Sequence, residues 1–288
     1  MDRTLEPHDR AVTLRRAGPA LLLAPALALF AGLFVYPQLR MFAVSLGAPH
    51  WSVHEYARFL GDPYYLAVLG RSLVLGAAVT AVTLVLGLPL AYGLARSESR
   101  YAPLVLVFST FPLWVSAVVR SFGWIVLLGR GGVVSTALSA IGLGAPSFQL
   151  LYTLGGVVIA LGEVLLPFMV ITLYGVIRGI DPELERAAQT LGASPLAAAA
   201  LTTLPLARAG ILSGSLLVFA LAISAFATPS LVGGARVQLM STTIYEQMTD
   251  LADWRFATAV AFILLGAVLA VTFVYARFAQ GAERLPGR

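Results

Sequence analysis

The stretch LERAAQTLGASPLAAAALTTLP (184–205) lies between two apolar runs that are each long enough to cross a membrane. Asp181 and Pro182 precede it, and acidic residues fall in its first turn. An aspartate cap, a proline at the first helical position and early acidic residues all favour a helix start. Gly192 suits a left-handed cap at the end of that helix. The pattern predicts a short helix that ends at this glycine.

A second helix is indicated directly after the first. Ser194 and Pro195 repeat the start signal, and the alanine-rich run that follows favours helix. Pro205 is expected to end this second helix where the chain re-enters the membrane. The whole stretch is therefore interpreted as a compact, rigid helical hairpin between two membrane spans.

The composition of the chain indicates a membrane protein. The 288 residues are 59% hydrophobic and 11% charged, with a mean hydropathy of +0.87. A soluble domain of this length could not bury so much apolar surface. The net charge of +5 does not indicate nucleic-acid binding, because no arginine cluster is interleaved with aromatic residues. The chain has no cysteine, which excludes disulfides and cysteine-based metal sites.

Apolar runs of about 20 residues are candidate membrane spans. The sequence predicts an all-α, polytopic membrane protein with about six of them. Prolines inside these runs are expected to be tolerated, because neighbouring helices can satisfy the freed backbone groups. The predicted spans cover roughly 17–39, 66–95, 103–128, 151–177, 209–227 and 254–278.

The basic residues predict the orientation. With six spans, both termini lie on one side, and all but seven of the nineteen basic residues fall on that side. The positive-inside rule makes it the cytoplasm. The outer segments are then 47–65, 130–150 and 228–253. The seven exceptions are Arg40, Arg58, Arg71, Arg120, Arg130, Arg236 and Arg255.

The loop resembles the cytoplasmic EAA loop of ABC-importer permease subunits. That pattern is Glu-Ala-Ala, three residues, Gly, nine residues, Ile, any residue, Leu-Pro. Two positions depart from it: Arg186 stands at the glutamate position and Thr202 at the isoleucine position. Glu185, one residue earlier, is expected to supply the acidic contact to the ATPase instead. The positions that match are Ala187, Ala188, Gly192, Leu204 and Pro205.

Further stretches resemble permeases of the spermidine/putrescine type. They include LLLAPALALFAGLFVYPQLRMFAVSL (21–46), PLWVSAVVRSFGWIVLLGRGGVVSTALSAIGL (112–143), FATPSLVGG (226–234) and DWRFATAVAFILL (253–265). The resemblance implies the type I ABC-importer permease fold. It divides the chain into a tail, first span and first periplasmic segment (1–65) and a permease core (66–279) that carries the coupling loop 181–205.

The resemblance also implies partners. They are a dimer of ATPase subunits, a second permease subunit that is either different or identical, and a periplasmic solute-binding protein. The hairpin would be the coupling helix that docks on the ATPase, and closure of the ATPase around ATP would tilt the spans as rigid bodies. The residues expected to couple to the ATPase are Glu185, Arg186, Ala187, Ala188, Gly192, Ser194, Pro195, Leu204 and Pro205.

The chain itself is not expected to be an enzyme. It contains no lysine, so a Walker A site is impossible, and ATP and Mg²⁺ are assigned to the partner ATPase. His50 and His54 could bind a metal, but polar side chains are ordinary in a segment outside the membrane, and no metal site is expected.

Glu163 is the most informative single residue, because a carboxylate inside a span is costly unless it meets water or a partner. It is interpreted as a group lining the solute pathway, as the ion-pair partner of Arg120, or as a protonated group in the interface with a second permease. Trp114, Ser116 and Trp124 are expected to line the same route, although tryptophans at a membrane interface are often anchors.

The solute is not identified by the sequence. A polyamine is the first choice, and the related permeases for opines, phosphonates, iron and thiamine are the alternatives within the resemblance. Two readings from other classes stay open, an ion-driven secondary transporter and a purely structural membrane subunit. An ion-driven carrier would show inverted repeats, which the sequence does not display.

Overall fold

The computed structural model describes residues 23–97, 100–140 and 149–283, and every regular element within them is helical. Most of these helices are apolar and belong to the predicted spans. In chain order they are α1 (Leu23–Ser45), α2 (His54–Gly61), α3 (Pro63–Arg96), α4 (Ala102–Ser109), α5 (Ala117–Leu128), α6 (Val133–Ala140), α7 (Leu154–Arg178), α8 (Glu183–Thr190), α9 (Pro195–Leu206), α10 (Arg208–Ser224), α11 (Met240–Thr249) and α12 (Trp254–Glu283).

Most of the predicted spans are confirmed as helices. Five stretches of the described chain are long and apolar enough to cross a membrane, and α9 with α10 forms a sixth if that bent pair is one span. Pro89 and Pro167 lie inside α3 and α7 without ending them, as expected. The part of the first span before residue 23 lies outside the described residues. The division of the chain at residue 65 stays a prediction.

The third predicted span, 103–128, is wrong as a single helix. It consists of α4, a short 3₁₀ turn at Phe111–Trp114, an extended link and then α5. Pro112 lacks an N–H group, and Val115 is extended (ψ 135°), so the helical ladder stops here. Arg120 compensates, since its Nη1 donates to the carbonyls of Pro112 (2.8 Å) and Val115 (3.4 Å). Carbonyl groups freed at membrane depth need such partners.

The core lies where α3, α7 and α10 pack together. Small residues bring the helix backbones close: a Cβ on Gly87 would lie 3.1 Å from Cγ of Met169. A Cβ on Gly210 would lie 2.8 Å from Cγ2 of Val176. In lipid, where apolar burial does not drive association, such close packing is a main source of helix–helix attraction.

A second cluster joins α2, α11 and α12 to the outer end of α3. Phe59 and Phe256 are fully buried in it. Arg58 stacks 4.1 Å above the Phe256 ring and donates to Asp253 at 2.9 Å, which ties α2 to the start of α12. The N-terminal helix α1 packs on α12 and otherwise presents its surface outward.

Candidate coupling and translocation sites

The loop folds into the helical hairpin that the sequence predicts. The Asp181 side chain accepts from the Glu183 N–H at 2.9 Å, which caps α8. The Ser194 hydroxyl accepts from the Ala197 N–H at 3.2 Å, which caps α9. Gly192 has φ +95°, the left-handed conformation that closes the first helix.

The second helix ends within one residue of the predicted end at Pro205. The helix continues to Leu206 and breaks at Ala207, where α10 leaves at 69°. A wider π turn at Ala199–Thr203 precedes the proline. This turn accommodates the missing N–H and the bulky ring, which would otherwise stop an ideal α-helix. The chain therefore re-enters the membrane through a sharp bend directly after this helix.

Glu185 lies inside the protein rather than on the loop surface. Its exposed fraction is 7%, and both carboxylate oxygens are engaged. Oε2 accepts from the Tyr92 hydroxyl at 2.7 Å. Oε1 accepts from Arg96 Nε at 3.0 Å and from the Thr203 hydroxyl, and it lies 2.8 Å from Arg96 Nη2. The expectation that this carboxylate reaches out to an ATPase is corrected, because it contacts α3 and α9 of its own chain.

The network also sets the charge of Glu185. Burial alone would raise the pKa of a carboxyl group. The hydrogen bonds from Thr203, Tyr92 and Arg96 outweigh burial and lower the pKa of Glu185 below the ordinary value of 4.5. The carboxylate is therefore ionised at neutral pH and stabilised by its partners.

The surface of the hairpin consists of other residues. Arg186 is exposed and pairs with Glu183 on the same helix. Leu191 and Leu196 flank the glycine turn and are 91% and 85% exposed. These two leucines were not among the sequence-predicted site residues, although two apolar side chains beside a polar turn are a signal of docking. The other predicted positions divide into exposed Ala187, Gly192, Ser194, Pro195 and Leu204 and half-buried Ala188 and Pro205.

The second site is an ion pair between α5 and α7. Arg120 Nε lies 3.4 Å from Glu163 Oε2, and the Trp124 indole N–H donates to the same oxygen at 3.3 Å. The Arg120 side chain is 12% exposed and that of Glu163 is 32% exposed. The contact to Arg120 is confirmed, and the partial exposure leaves the carboxylate open to a further ligand.

Trp114 and Ser116 lie in the break between α4 and α5. Trp114 is 83% exposed, and Ser116 is exposed at the N-terminus of α5. Neither forms a hydrogen bond with Glu163. The structure therefore brings Arg120, Trp124 and Glu163 together and places the other two residues beside the helix break. The role of all five in a solute pathway stays a prediction.

The bundle of apolar helices and the bent helix pair α9 and α10 define a multi-pass membrane protein. The chain belongs to the family of binding-protein-dependent transport system inner membrane components, whose family model matches residues 84–284. It is thus a permease subunit of the bacterial inner membrane.

Permeases from other bacteria align with most of the chain. The spermidine/putrescine transport system permease protein PotB of Haemophilus influenzae is 34% identical over 218 residues, or 76% of each chain. PotB of Escherichia coli is also 34% identical, over 77% of this chain and 81% of its own. The putative ferric transport system permease FbpB 1 of Haemophilus influenzae is 28% identical and is matched over only 38% of its length.

Solved structures share the fold. A chain of a bacterial alginate ABC transporter, in complex with a periplasmic protein that holds an alginate pentasaccharide, superposes with a TM-score of 0.79 at 18% identity. The superposition covers 94% of this chain and 96% of that one. A second alginate transporter structure gives a TM-score of 0.75 at 19% identity. The predicted type I ABC-importer permease fold is confirmed.

Proposed function

We propose that this permease moves a polyamine from a periplasmic binding protein into the cytoplasm, driven by ATP. The observation that carries the proposal is identity to spermidine/putrescine permeases over about three quarters of the chain. A carboxylate within the membrane region agrees with a cationic solute, since an ammonium group can offset the cost of placing Glu163 there.

The pathway that we propose runs past Glu163. Arg120 lies 3.4 Å from the carboxylate, while partial exposure of Glu163 lets a solute ammonium approach. Trp124 orients the carboxylate through its indole N–H. Trp114 supplies an open aromatic face that can attract a cation, and Ser116 adds a hydroxyl at the same break.

The hairpin 181–205 is proposed as the docking element for an ATPase dimer. Its tip combines two exposed leucines, Leu191 and Leu196, with a stiff turn at Gly192. A stiff element passes on a displacement that a flexible loop would absorb. ATP and Mg²⁺ belong to the ATPase, because a chain without lysine cannot form a Walker A loop.

Docking of the hairpin on the ATPase also sets which segments face the cytoplasm and which face the periplasm. The hairpin and both termini face the cytoplasm, in agreement with the positive-inside rule. The outer segments face a periplasmic binding protein. A second permease subunit completes the pathway, and we favour a different chain over a second copy of this one.

The test is uptake by the reconstituted complex. The permease is co-expressed with its ATPase, second permease and binding protein, and radiolabelled spermidine is supplied to proteoliposomes with and without internal ATP. We expect uptake only with ATP, and competition by putrescine but not by opines, phosphonates, ferric iron or thiamine. Uptake by this chain alone, driven by an ion gradient and abolished by an ionophore, would instead establish a secondary transporter.

A further inference from the structure

We infer that α3 is a strut that transmits displacement between the coupling hairpin and the outer segment, and that Arg96 and Glu185 form its inner joint. The inference rests on the proposed function, because it concerns how the hairpin and the binding-protein face communicate. Glu185 is a positioning residue in this inference. Arg96, Tyr92 and Ser72 share that role, and none of the three was among the site residues predicted from the sequence.

The inner joint connects three separate segments to the end of α3. Arg96 donates from Nη1 to the Ile180 carbonyl at 2.9 Å, which holds the entry to the hairpin. Its Nε and Nη2 hold Glu185 on α8, and Nη2 also donates to the Thr203 hydroxyl on α9 at 3.3 Å. Both helices of the hairpin are thus tied to one guanidinium group.

The side chains of the inner joint are buried, and fixed donors hold the Glu185 carboxylate in one orientation. The side chains of Arg96 and Glu185 are 16% and 9% exposed. Tyr92, one turn earlier on α3, adds a 2.7 Å hydrogen bond to the second carboxylate oxygen. A carboxylate held at both oxygens by fixed donors cannot rotate without breaking several bonds, so the hairpin and α3 move together.

The outer end of α3 has a matching joint. The Ser72 hydroxyl accepts from the Met240 N–H at 2.8 Å, where Ser72 is 1% exposed and Met240 fully buried. Arg71 Nη1 donates to the Gln238 carbonyl at 3.3 Å. These bonds fasten α3 to the start of α11, in the segment that we assign to the binding-protein face.

Between the two joints α3 is one helix, which continues through Pro89. Ser72 and Tyr92 are 20 residues apart, which corresponds to about 30 Å along the axis. Leu75, Val79 and Ala91 are buried along this length against α7 and α10. Close-packed helices have low compressibility, so a shift at one end is carried to the other. By linkage, any effect of binding-protein docking on the affinity of the ATPase for ATP must be matched by an equal effect of ATP on the affinity for the binding protein.

The test is a double-mutant cycle between the two ends in the complete complex. Ser72→Ala and Tyr92→Phe each remove one hydroxyl and keep the side-chain shape. The readout is the ratio of ATP hydrolysis with spermidine-loaded binding protein to hydrolysis without it. This ratio does not depend on how much complex is recovered. The matched control is Arg178→Met, a basic residue at the same membrane end that lies on α7, outside the joint.

We expect each single variant to lower the stimulation ratio roughly fivefold, the lower end of typical allosteric coupling. The double variant should fall little further, because a strut released at one end transmits nothing to the other. Residues about 30 Å apart with independent, purely structural roles would give additive losses of free energy, so the fold-changes of the two single variants would multiply. Additive losses, or a ratio unchanged in either single variant, would overturn the strut.

A third variant tests the inner joint directly. Glu185→Gln retains the side-chain size but weakens the contact to Arg96, and it should lower the ratio at least as much as Tyr92→Phe. An unchanged ratio here would also overturn the inference. The wild-type complex separately tests the solute: if spermidine does not stimulate it, the proposed solute is wrong, and the cycle is run with whichever solute of the competition panel does.

Discussion

Arg120 and Glu163 meet 3.4 Å apart at the point where the third apolar segment is broken. The same guanidinium group that faces Glu163 also binds the carbonyls of Pro112 and Val115. One side chain therefore stabilises the broken backbone and the charge of an intramembrane carboxylate. Any change in this pair is expected to affect both stability and solute passage, and the two effects can be separated.

Glu163→Gln removes the charge and keeps the shape. We expect spermidine uptake to fall by roughly tenfold, which corresponds to about 1.4 kcal/mol of lost attraction. The free energy of unfolding should fall by about 1–2 kcal/mol, less than the 3–5 kcal/mol of a fully buried pair, because Glu163 is 32% exposed. Uptake and melting temperature of the complex are the measurements.

Arg120→Gln distinguishes the two roles. It should cost more stability than Glu163→Gln, since the bonds to Pro112 and Val115 weaken as well. The double variant leaves no charge unpaired, so it should regain part of the stability but not the uptake. Normal uptake in Glu163→Gln would rule out a pathway role for this carboxylate.

Gly192→Val should weaken coupling without preventing membrane insertion. A Cβ at Gly192 would meet nothing within 4 Å, so the effect comes only from φ +95°, which is strained for a side-chain-bearing residue by about 1–2 kcal/mol. We expect reduced stimulation of the ATPase. Gly93→Ala is the control, because that glycine also faces open space but lies within α3. Full stimulation in Gly192→Val would contradict a role for the rigid turn.

Single cysteines report the orientation, because the chain has none of its own. Ser194→Cys lies on the exposed hairpin and should react with a membrane-impermeant maleimide only from the cytoplasmic side. It should also cross-link to the ATPase. Thr249→Cys, at the exposed end of α11, should react only from the periplasm. The reverse pattern would invert the topology and remove the coupling assignment.

Gly210→Ala should loosen the contact between α7 and α10. The added Cβ would approach Val176 to 2.8 Å, and overpacking of this kind costs about 1–3 kcal/mol. Val176→Ala in the same chain should restore most of the melting temperature by providing room. Gly175→Ala is the neighbouring control, since a Cβ there meets nothing within 4 Å. Equal losses for Gly210→Ala and Gly175→Ala would contradict the close packing.

Features that depend only on neighbouring residues could be predicted from the amino-acid sequence. Long apolar runs predicted most of the membrane helices, because the length needed to cross lipid and the absence of charge are both legible in the chain. Asp181, Gly192 and Ser194 predicted the caps of the hairpin, since a cap is made within a few residues of the backbone that it satisfies.

The contacts between distant polar groups, in contrast, became visible only in the folded chain. The third apolar segment looked continuous, because its break is stabilised by Arg120 from the following helix. Glu185 looked like a surface residue, because its burial depends on Arg96, 89 residues away along the chain. Whether Glu163 meets Arg120 was open until the distance between them was known. A charge in an apolar environment is stabilised by whatever the fold brings within a few ångströms, and sequence spacing does not contain that distance.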